Sequence, residues 1–295
     1  MWWRRSRRRS APLSLADVDD ETFLRLAYEA ILRRPPDEFG TTFFRRALRE
    51  GMSRQRVLDT LLFSDAVIDE VLATNLGESL HQSRKRFIRS LPRAGRILDL
   101  GGAASDRPEG ALVAMGYPYR FDELVIIDLP NEQRHALYRS QQTPKVVESP
   151  RGPIRYHYGS LADLSPFADA SFDLVYSGQS IEHVTLEEGA HVFREVRRVL
   201  RRGGAFALDT PNARATRLQQ ETFIDPDHRV EYQHAEVLAL ALGAGLALER
   251  AHGLNYLGAC FERGAFEPAE AARHPGLFDA IEDCYLLAYV FRKLA

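Results

Sequence analysis

The fold of this chain is decided by the stretch Arg96-Ile97-Leu98-Asp99-Leu100-Gly101-Gly102. A short apolar run carries one carboxylate and ends in two glycines, which is the pattern of a buried strand that turns sharply and lets its backbone approach a ligand. Downstream, the run Leu124-Val125-Ile126-Ile127-Asp128 is again closed by an acidic residue, at about the distance of one strand-helix-strand unit. Together the two stretches predict a nucleotide-type cofactor site.

Apolar runs and helical stretches alternate along the chain beyond residue 95. The runs predict strands at 96–100, 124–128, 154–158, 172–177, 205–209, about 246–251 and 285–292. Such alternation is typical of an α/β fold with a doubly wound, mainly parallel seven-stranded Rossmann-like sheet and helices on both faces. In such a sheet a ligand binds at the carboxyl ends of the strands, where the two acidic residues lie.

Composition sets the expected number of domains and the kind of partner. At 295 residues the chain is longer than a typical domain of ~100–200 residues, so we expect two domains. The formal charge of −2 includes five arginines among the first ten residues, which leaves −7 on the remainder and disfavours nucleic-acid binding. The two cysteines, Cys260 and Cys284, form no CxxC pair, and we expect them to be reduced and structural.

Residues 1–18 are expected to form a basic disordered tail. Its arginines and the pair Trp2-Trp3 are followed by acidic residues rather than by the apolar segment of an export signal. Peripheral contact of the tail with an anionic membrane surface is the alternative to a tail without a role. No run approaches the ~20 apolar residues that cross a bilayer, and we expect a cytoplasmic protein.

Residues 19–75 predict a bundle of three short helices. The apolar residues of 24–31 recur at helical spacing, and Asp19 or Asp20 can cap the first helix. The run Arg33-Arg34-Pro35-Pro36-Asp37 then ends it, because consecutive prolines cannot continue a helix. No cluster of nucleophile, acid and base is found in this region, which favours an interaction or packing module over a catalytic one.

This module resembles a small bacterial helical domain of unknown function that is often attached to cell-surface proteins or to enzymes of surface polysaccharides. The resemblance rests on Leu32-Arg33-Arg34-Pro35-Pro36-Asp37-Glu38-Phe39-Gly40, on Met52-Ser53 and on Phe63-Ser64. After it, residues 76–94 predict a polar linker helix that covers the cofactor, and residues 95–295 predict the sheet domain.

The glycine loop distinguishes between two kinds of cofactor. A nicotinamide-dependent oxidoreductase requires G-x-G-x-x-G, but this loop reads Gly101-Gly102-Ala103-Ala104-Ser105-Asp106. Asp106 would place negative charge near the phosphates of a dinucleotide. S-adenosylmethionine has no phosphate and carries a sulfonium and an ammonium group, so an acidic loop suits it. Asp128 would accept hydrogen bonds from both ribose hydroxyls.

Later motifs resemble the class I S-adenosylmethionine-dependent methyltransferases, in particular their small-molecule members. The resemblance spans roughly residues 95–293. It rests, in chain order, on Tyr158-Gly159-Ser160-Leu161-Ala162-Asp163-Leu164-Ser165-Pro166-Phe167, Ala168-Asp169-Ala170-Ser171-Phe172-Asp173-Leu174-Val175-Tyr176-Ser177, Ile181-Glu182-His183-Val184, the helix Phe193 to Gly204, the strand Ala205 to Asp209, and Thr210-Pro211-Asn212.

The resemblance implies a cofactor role for nine residues. Asp99, Gly101 and Gly102 would shape the pocket beside the methionine part, and Asp128 with Leu129 would hold the ribose. Ser160 and Leu161 would flank the adenine, and Ser177 and Gly178 would line the methionine side. Ala103 and Ser105 depart from the usual glycines, and Ser160 stands where many members carry an aspartate. These departures leave a non-catalytic, methyltransferase-like scaffold protein of surface-polysaccharide biosynthesis as the alternative.

The expected function is methyl transfer from S-adenosylmethionine to oxygen of a small-molecule or glycan-linked acceptor. Because a hydroxyl is a poor nucleophile, a base with a pKa near neutrality would help, and His183 and His228 are the candidates. A packing role for His183 and a loop-anchoring role for His228 are the alternatives. With Asp209 nearby, Asp225 and Asp227 beside His228 could hold Mg²⁺, but adjacent acids in a loop are more often turn residues, and we predict no metal.

Overall fold

The computed structural model describes residues 18–32, 35–36, 38–49, 51–62, 76–104, 107–134 and 144–294. The chain forms two compact units, residues 1–71 and residues 72–295. Several sequence predictions fall on positions outside the described residues: the basic tail up to residue 17, the turn residues Arg33, Arg34 and Asp37, the pair Phe63-Ser64, and the loop residues Ser105 and Asp106.

The first unit contains three described helices, α1 (Asp20–Leu32), α2 (Glu38–Arg49) and α3 (Arg54–Leu62). The Asp19 carboxylate caps α1, because it accepts a hydrogen bond from the Thr22 amide at 2.8 Å. The apolar faces share one small core that includes Phe23, Leu24, Ala27, Tyr28, Phe44, Val57 and Leu61. The helices of this unit agree with those that the spacing of apolar residues predicts.

The second unit is built on one sheet. Its described strands are β1 (Arg96–Leu100), β2 (Glu123–Asp128), β3 (Val146–Ser149), β4 (Gly152–Tyr158), β5 (Phe172–Gly178), β6 (Leu200–Pro211), β7 (Leu246–Tyr256), β8 (Leu277–Phe278) and β9 (Cys284–Lys293). Its described helices are α4 (Leu76–Arg89), α5 (Gly110–Ala114), α6 (Leu186–Val199), α7 (Ala213–Gln219), α8 (His234–Gly243), α9 (Gly258–Arg263) and α10 (Pro268–Arg273).

The strands lie in the order β3-β4-β2-β1-β5-β6-β9-β7-β8. The five strands from β4 to β6 run parallel, and β9 and β7 join antiparallel. All seven predicted strands are present, but the count of seven was wrong: the described residues add two edge strands. β8 has only two residues and β3 only four, with side chains that are exposed or half-buried. Strands so short and so little buried leave no apolar run to detect.

Helices cover both faces of the sheet, as a doubly wound fold requires. One apolar core holds Phe87 of α4 and Leu112 of α5 against one face. The other holds α6 against the opposite face, through buried residues at helical spacing such as Phe193 and Val196. α6 begins at a capping box in which Thr185 and Glu188 satisfy each other's backbone amides. The helix then ends as the chain enters β6.

α4, which was predicted as a linker helix, packs within the second unit. Its buried Ser83 hydroxyl donates to Asn255 of β7 at 2.6 Å, and its Ser79 hydroxyl donates to the Ala272 carbonyl at 2.8 Å. Both bonds are buried, so α4 is part of the structure around the sheet. Among the described residues, no helix combines the length and the apolar character needed to span a bilayer.

Candidate functional site

The turn after β1 requires both of its glycines. Gly101 has φ of +73°, and a Cβ there would lie 2.7 Å from the Cβ of Ser180. Its amide donates to the Ile127 carbonyl of β2 at 2.8 Å. A side chain on Gly102 would collide with the Asp99 carboxylate. The backbone therefore passes close to two neighbouring strand ends, as the sequence predicts for a ligand-binding turn.

Asp99 is a buried acid with an unsatisfied oxygen. Its side chain is 1% exposed, and within the described part of the chain its Oδ2 has no hydrogen-bond partner. Burial and, after it, the negative charge of nearby Asp128 raise the pKa of Asp99 to about 8, against a lowering by the Leu112 amide and by Arg84. A buried carboxylate of this kind favours a cationic or hydrogen-bond-donating ligand.

Asp128 is the last residue of β2, at the same end of the parallel strands as the glycine turn, and its side chain already has two partners. Its Oδ2 accepts from the Ala103 amide at 2.9 Å, and its Oδ1 lies 3.3 Å from Nε of Arg134. Burial raises the pKa of Asp128, and Arg134 and the Ala103 amide oppose that rise. Since an ionised carboxylate offers about four lone-pair sites, further donors can still bind. Ala103, a departure from the family's glycine, thus contributes through its backbone.

Ser177 and Gly178 end β5 next to this turn, but Ser177 has an internal partner. Its hydroxyl lies 2.7 Å from the Ser180 hydroxyl, which donates to the Leu100 carbonyl at 2.7 Å. Gly178 has no room for a side chain, because a Cβ would meet the Tyr176 hydroxyl. Both residues were predicted to line the ligand. In the structure, Ser177 contacts Ser180 and so helps to fix the loop that follows β5.

The three remaining predicted cofactor residues lie at the edges of this region. Leu161 is half-buried and would lie 3.9 Å from a Cβ on Gly101. Ser160 is exposed, and its hydroxyl accepts from the Ala162 amide at 3.2 Å. Leu129 is 37% exposed, a high value for an apolar side chain that follows a buried strand. Leu161 is thus beside the glycine turn, whereas Ser160 faces solvent.

Asp209, a buried acid at the end of β6, was considered from sequence only as a neighbour of the Mg²⁺ alternative and not as a cofactor-binding or catalytic residue. Its side chain is fully buried, with Nε of Arg84 2.5 Å from Oδ1 and the Tyr176 hydroxyl 2.5 Å from Oδ2. Gln179 donates to Oδ1 at 3.0 Å. The signal that could have found it is the repeated pattern of an apolar run that ends in Asp. Its partner Arg84 comes from α4, and no spacing rule relates two residues so distant in the chain.

The predicted bases His183 and His228 are brought together, with their ring centroids 5.0 Å apart. Potential ligand atoms of Glu182, His183 and His228 all lie within 4.8 Å of one another. Burial lowers the pKa of His183, and the charge of His228 lowers it further. Glu182 is fully buried, and burial raises its pKa to about 8. Glu182 was not predicted as a site residue, although it directly precedes His183 in the motif Ile181-Glu182-His183-Val184.

Comparisons with known proteins match a segment of each unit. Residues 110–208 match the family described as methyltransferase domain, and residues 11–69 match a domain of unknown function, DUF4214. The segment matched to the methyltransferase family runs from α5 to β6, so it includes Asp128, Ser177 and the Glu182-His183 pair.

Relatives with the methyltransferase domain match only part of the chain. A protein of Mycolicibacterium smegmatis named probable S-adenosylmethionine-dependent methyltransferase is 40% identical over 105 residues, 36% of this chain and 39% of that protein. A Mycobacterium tuberculosis protein with the same description is 40% identical over 86 residues, 29% of this chain and 30% of that protein. The chain therefore aligns with well under half the length of either relative.

Solved structures share the fold of most of this chain. A chain from the complex of the Haloferax volcanii Trm112 methyltransferase activator with a methyltransferase has a TM-score of 0.52 at 18% identity, covering 77% of this chain and 98% of that chain. An S-adenosylmethionine-dependent methyltransferase of Thermotoga maritima has a TM-score of 0.51 at 16% identity, covering 74% and 91%. At these identities the likeness shows the Rossmann-like α/β fold alone.

Proposed function

We propose that this protein transfers a methyl group from S-adenosylmethionine to a hydroxyl oxygen of a small-molecule or glycan-linked acceptor. The observation that carries the proposal is the buried Asp99 carboxylate, whose Oδ2 lacks a partner among the described residues and lies near Asp128. Two carboxylates beside a glycine turn disfavour a phosphate and favour a donor that carries positive charge. The names of the relatives support the same cofactor.

Each part of the cofactor is assigned to residues near the strand ends. Asp99 would face the cationic amino-acid end, with the Gly101-Gly102 backbone beside it. Asp128 would accept from the ribose hydroxyls in competition with Arg134, and Leu129 would pack beside the ribose. The adenine would lie against Leu161, with the exposed Ser160 at its edge, and Gly178 with Ser177 would border the methionine side.

The proposed reaction is an in-line displacement at the methyl carbon. A bond forms between the acceptor oxygen and that carbon, the carbon–sulfur bond breaks, and the sulfur keeps its electron pair as S-adenosylhomocysteine leaves. Holding the two reactants in line can contribute ~7–11 kcal/mol of the barrier reduction. The acceptor hydroxyl must also lose its proton. We infer that the cluster of His183 and His228 promotes that proton loss.

An oxygen acceptor is favoured because the cluster suits a hydroxyl, which needs help to become nucleophilic. His183 lies three residues after Ser180, which contacts the glycine turn, so the cluster neighbours the proposed cofactor site. The glycan-linked class is supported by the DUF4214 module, since that module resembles one attached to enzymes of surface polysaccharides. We place the protein in the cytoplasm, with its Trp/Arg tail as a means of peripheral membrane contact.

The test is calorimetry of the full chain with S-adenosylmethionine, followed by tritium-methyl transfer to fractionated polysaccharide, lipid and metabolite pools. Binding with one site per chain and transfer into an alkali-stable ether would support the proposal. Asp99→Ala should weaken binding at least tenfold, whereas the exposed His191→Ala, on the outer side of α6, should leave it unchanged. Absence of binding at millimolar cofactor would instead favour the non-catalytic scaffold.

A further inference from the structure

We propose that Glu182, His183 and His228 form a binding site for one divalent transition-metal ion beside the cofactor turn. Potential ligand atoms of the three side chains lie within 4.8 Å of one another, close enough to surround a single ion. Two imidazoles and a carboxylate are a ligand set typical of Zn²⁺, Mn²⁺, Co²⁺ or Fe²⁺, whereas Mg²⁺ and Ca²⁺ prefer oxygen alone.

Each histidine uses one ring nitrogen for a second contact. Nδ1 of His228 lies 2.9 Å from Oε1 of Glu231, and Nδ1 of His183 lies 3.3 Å from the Asp227 carbonyl. Such outer contacts are what metal-binding histidines make, because they fix the ring orientation and leave Nε2 for the ion. His228 and Glu231 are 7% and 5% exposed, so the pair is held away from solvent.

Glu231 is itself fixed by two donors. Its Oε1 accepts from the Ile224 amide at 2.9 Å, and its Oε2 accepts from the Thr216 hydroxyl. A carboxylate with both oxygens engaged is a rigid support for the His228 ring. In a metal site, this support would fix the orientation of the His228 ring.

Glu182 supplies the observation that points to a ligand. Its side chain is fully buried, and Oε2 accepts from the Thr210 hydroxyl at 3.1 Å, but Oε1 has no hydrogen-bond partner in the part of the chain that the structure describes. A buried carboxylate oxygen without a partner is costly unless a cation or donor satisfies it. A metal ion between Oε1 and the two imidazoles removes that cost.

The backbone holds the two halves of the site together. The Glu182 carbonyl accepts from the amides of Arg229 and Val230, at 2.8 and 3.2 Å. These bonds fasten the loop that carries His228 to the short 3-10 turn Ile181–His183. The ligands thus come from a preformed framework. The acidic residues considered for Mg²⁺ from the sequence, Asp209, Asp225 and Asp227, are not part of this cluster.

Three protein ligands leave coordination positions on the ion open, and an oxygen of the acceptor can occupy one of them. This catalytic role of the ion rests on the proposed function. A bound ion lowers the pKa of a coordinated hydroxyl, so the proton leaves to water while the oxygen forms its bond to the methyl carbon. In that case His183 and His228 position the acceptor through the ion rather than accept the proton themselves. Binding of the metal alone does not depend on this role.

The test is calorimetric titration of the metal-stripped full chain with Zn²⁺ and, separately, with Mg²⁺, in the absence of cofactor. We expect one Zn²⁺ per chain with micromolar or tighter affinity and far weaker Mg²⁺ binding. Glu182→Gln and His228→Ala should each weaken Zn²⁺ binding at least tenfold. Glu231→Gln should weaken it by about 10–100-fold, the size of effect known for residues that orient metal ligands.

The exposed His191→Ala is the matched control and should bind Zn²⁺ like the wild type. If a buried substitution unfolds the domain, the absorption spectrum of Co²⁺ bound to the wild type serves as the test instead. Co²⁺ bound to the nitrogen ligands of this site should absorb visible light more strongly than hexaaqua Co²⁺. Wild-type Zn²⁺ binding no tighter than that of the Glu182→Gln, His228→Ala double variant would overturn the site. S-adenosylmethionine binding is measured in the presence of EDTA, and therefore without metal. Its outcome is independent of the Zn²⁺ titration, so failure of the metal site and failure of the proposed function can be distinguished.

Discussion

The Ser180 hydroxyl donates to the Leu100 carbonyl at 2.7 Å, which ties the loop after β5 to the turn after β1. At the same place, the Ser180 Cβ would lie 2.7 Å from a Cβ on Gly101. The contact leaves room for glycine only, and it places the Glu182-His183 turn beside the proposed cofactor site. A change at Gly101 therefore tests both the turn and the pocket.

Gly101→Ala should destabilise the domain by about 1–3 kcal/mol, because it forces a side chain into a left-handed backbone and against Ser180. We also expect S-adenosylmethionine affinity to fall at least tenfold. Urea unfolding and calorimetry measure the two effects. Gly243→Ala is the control, since a Cβ there meets nothing within 4 Å, and it should be neutral or slightly stabilising. Equal effects of the two substitutions would contradict the role of the Gly101 turn.

Asp99→Asn should change how stability depends on pH. The pKa of Asp99 rises from 3.8 to about 8 on folding, so the native state binds more protons than the unfolded state between these values. The free energy of unfolding of the wild type therefore falls as pH rises through this window. Asparagine removes that contribution, and the variant should be more stable than the wild type above pH 8, on the order of 2–4 kcal/mol.

Urea unfolding of both proteins at several pH values checks this expectation. The slope that remains in the variant includes contributions from Glu182, whose pKa burial raises to about 8, and from Asp128, whose pKa burial also raises. Parallel pH dependences of the wild type and Asp99→Asn would show that Asp99 keeps an ordinary pKa in the native state.

Cofactor binding should release a proton below pH 8. If Asp99 faces the cationic end of S-adenosylmethionine, binding favours its ionised form, although its pKa in the free protein is about 8. The affinity should then weaken as pH falls, by up to about tenfold per unit. The charged groups that act on Asp99 are Asp128, Asp209 and Arg84. Calorimetry in two buffers of different ionisation enthalpy measures the proton release, which should vanish in Asp99→Asn.

Arg84→Met should destabilise the domain by about 3–5 kcal/mol, because it leaves the Asp209 carboxylate buried without a countercharge. The double variant Arg84→Met, Asp209→Asn should recover most of that loss. Arg201→Met serves as the surface control: Arg201 pairs with Asp173 at 2.8 Å but is half exposed, so we expect a change of at most about 1 kcal/mol. Thermal and urea unfolding would measure all three, and a double variant no more stable than Arg84→Met would contradict the pairing.

The site was partly predictable from sequence because its first elements are local. Asp99, Gly101 and Gly102 are adjacent in one turn, and a strand followed by two glycines indicates that turn without any long-range information. The pairing of β1 with β2 then brings Asp128 next to it, as alternating strands predict. Asp209 and Glu182 were missed because their roles depend on Arg84, Thr210 and His228, which come from distant parts of the chain.

The amino-acid sequence alone determined the alternation of strands and helices, the glycine turn and the acids that close the strands, since periodicity and backbone conformation act over a few residues. Only the tertiary structure decided which polar groups share a buried space: Asp99 with Asp128, Arg84 with Asp209, and Glu182 with the two histidines. Burial makes an unpaired charge costly, and a partner in space has no fixed distance along the chain.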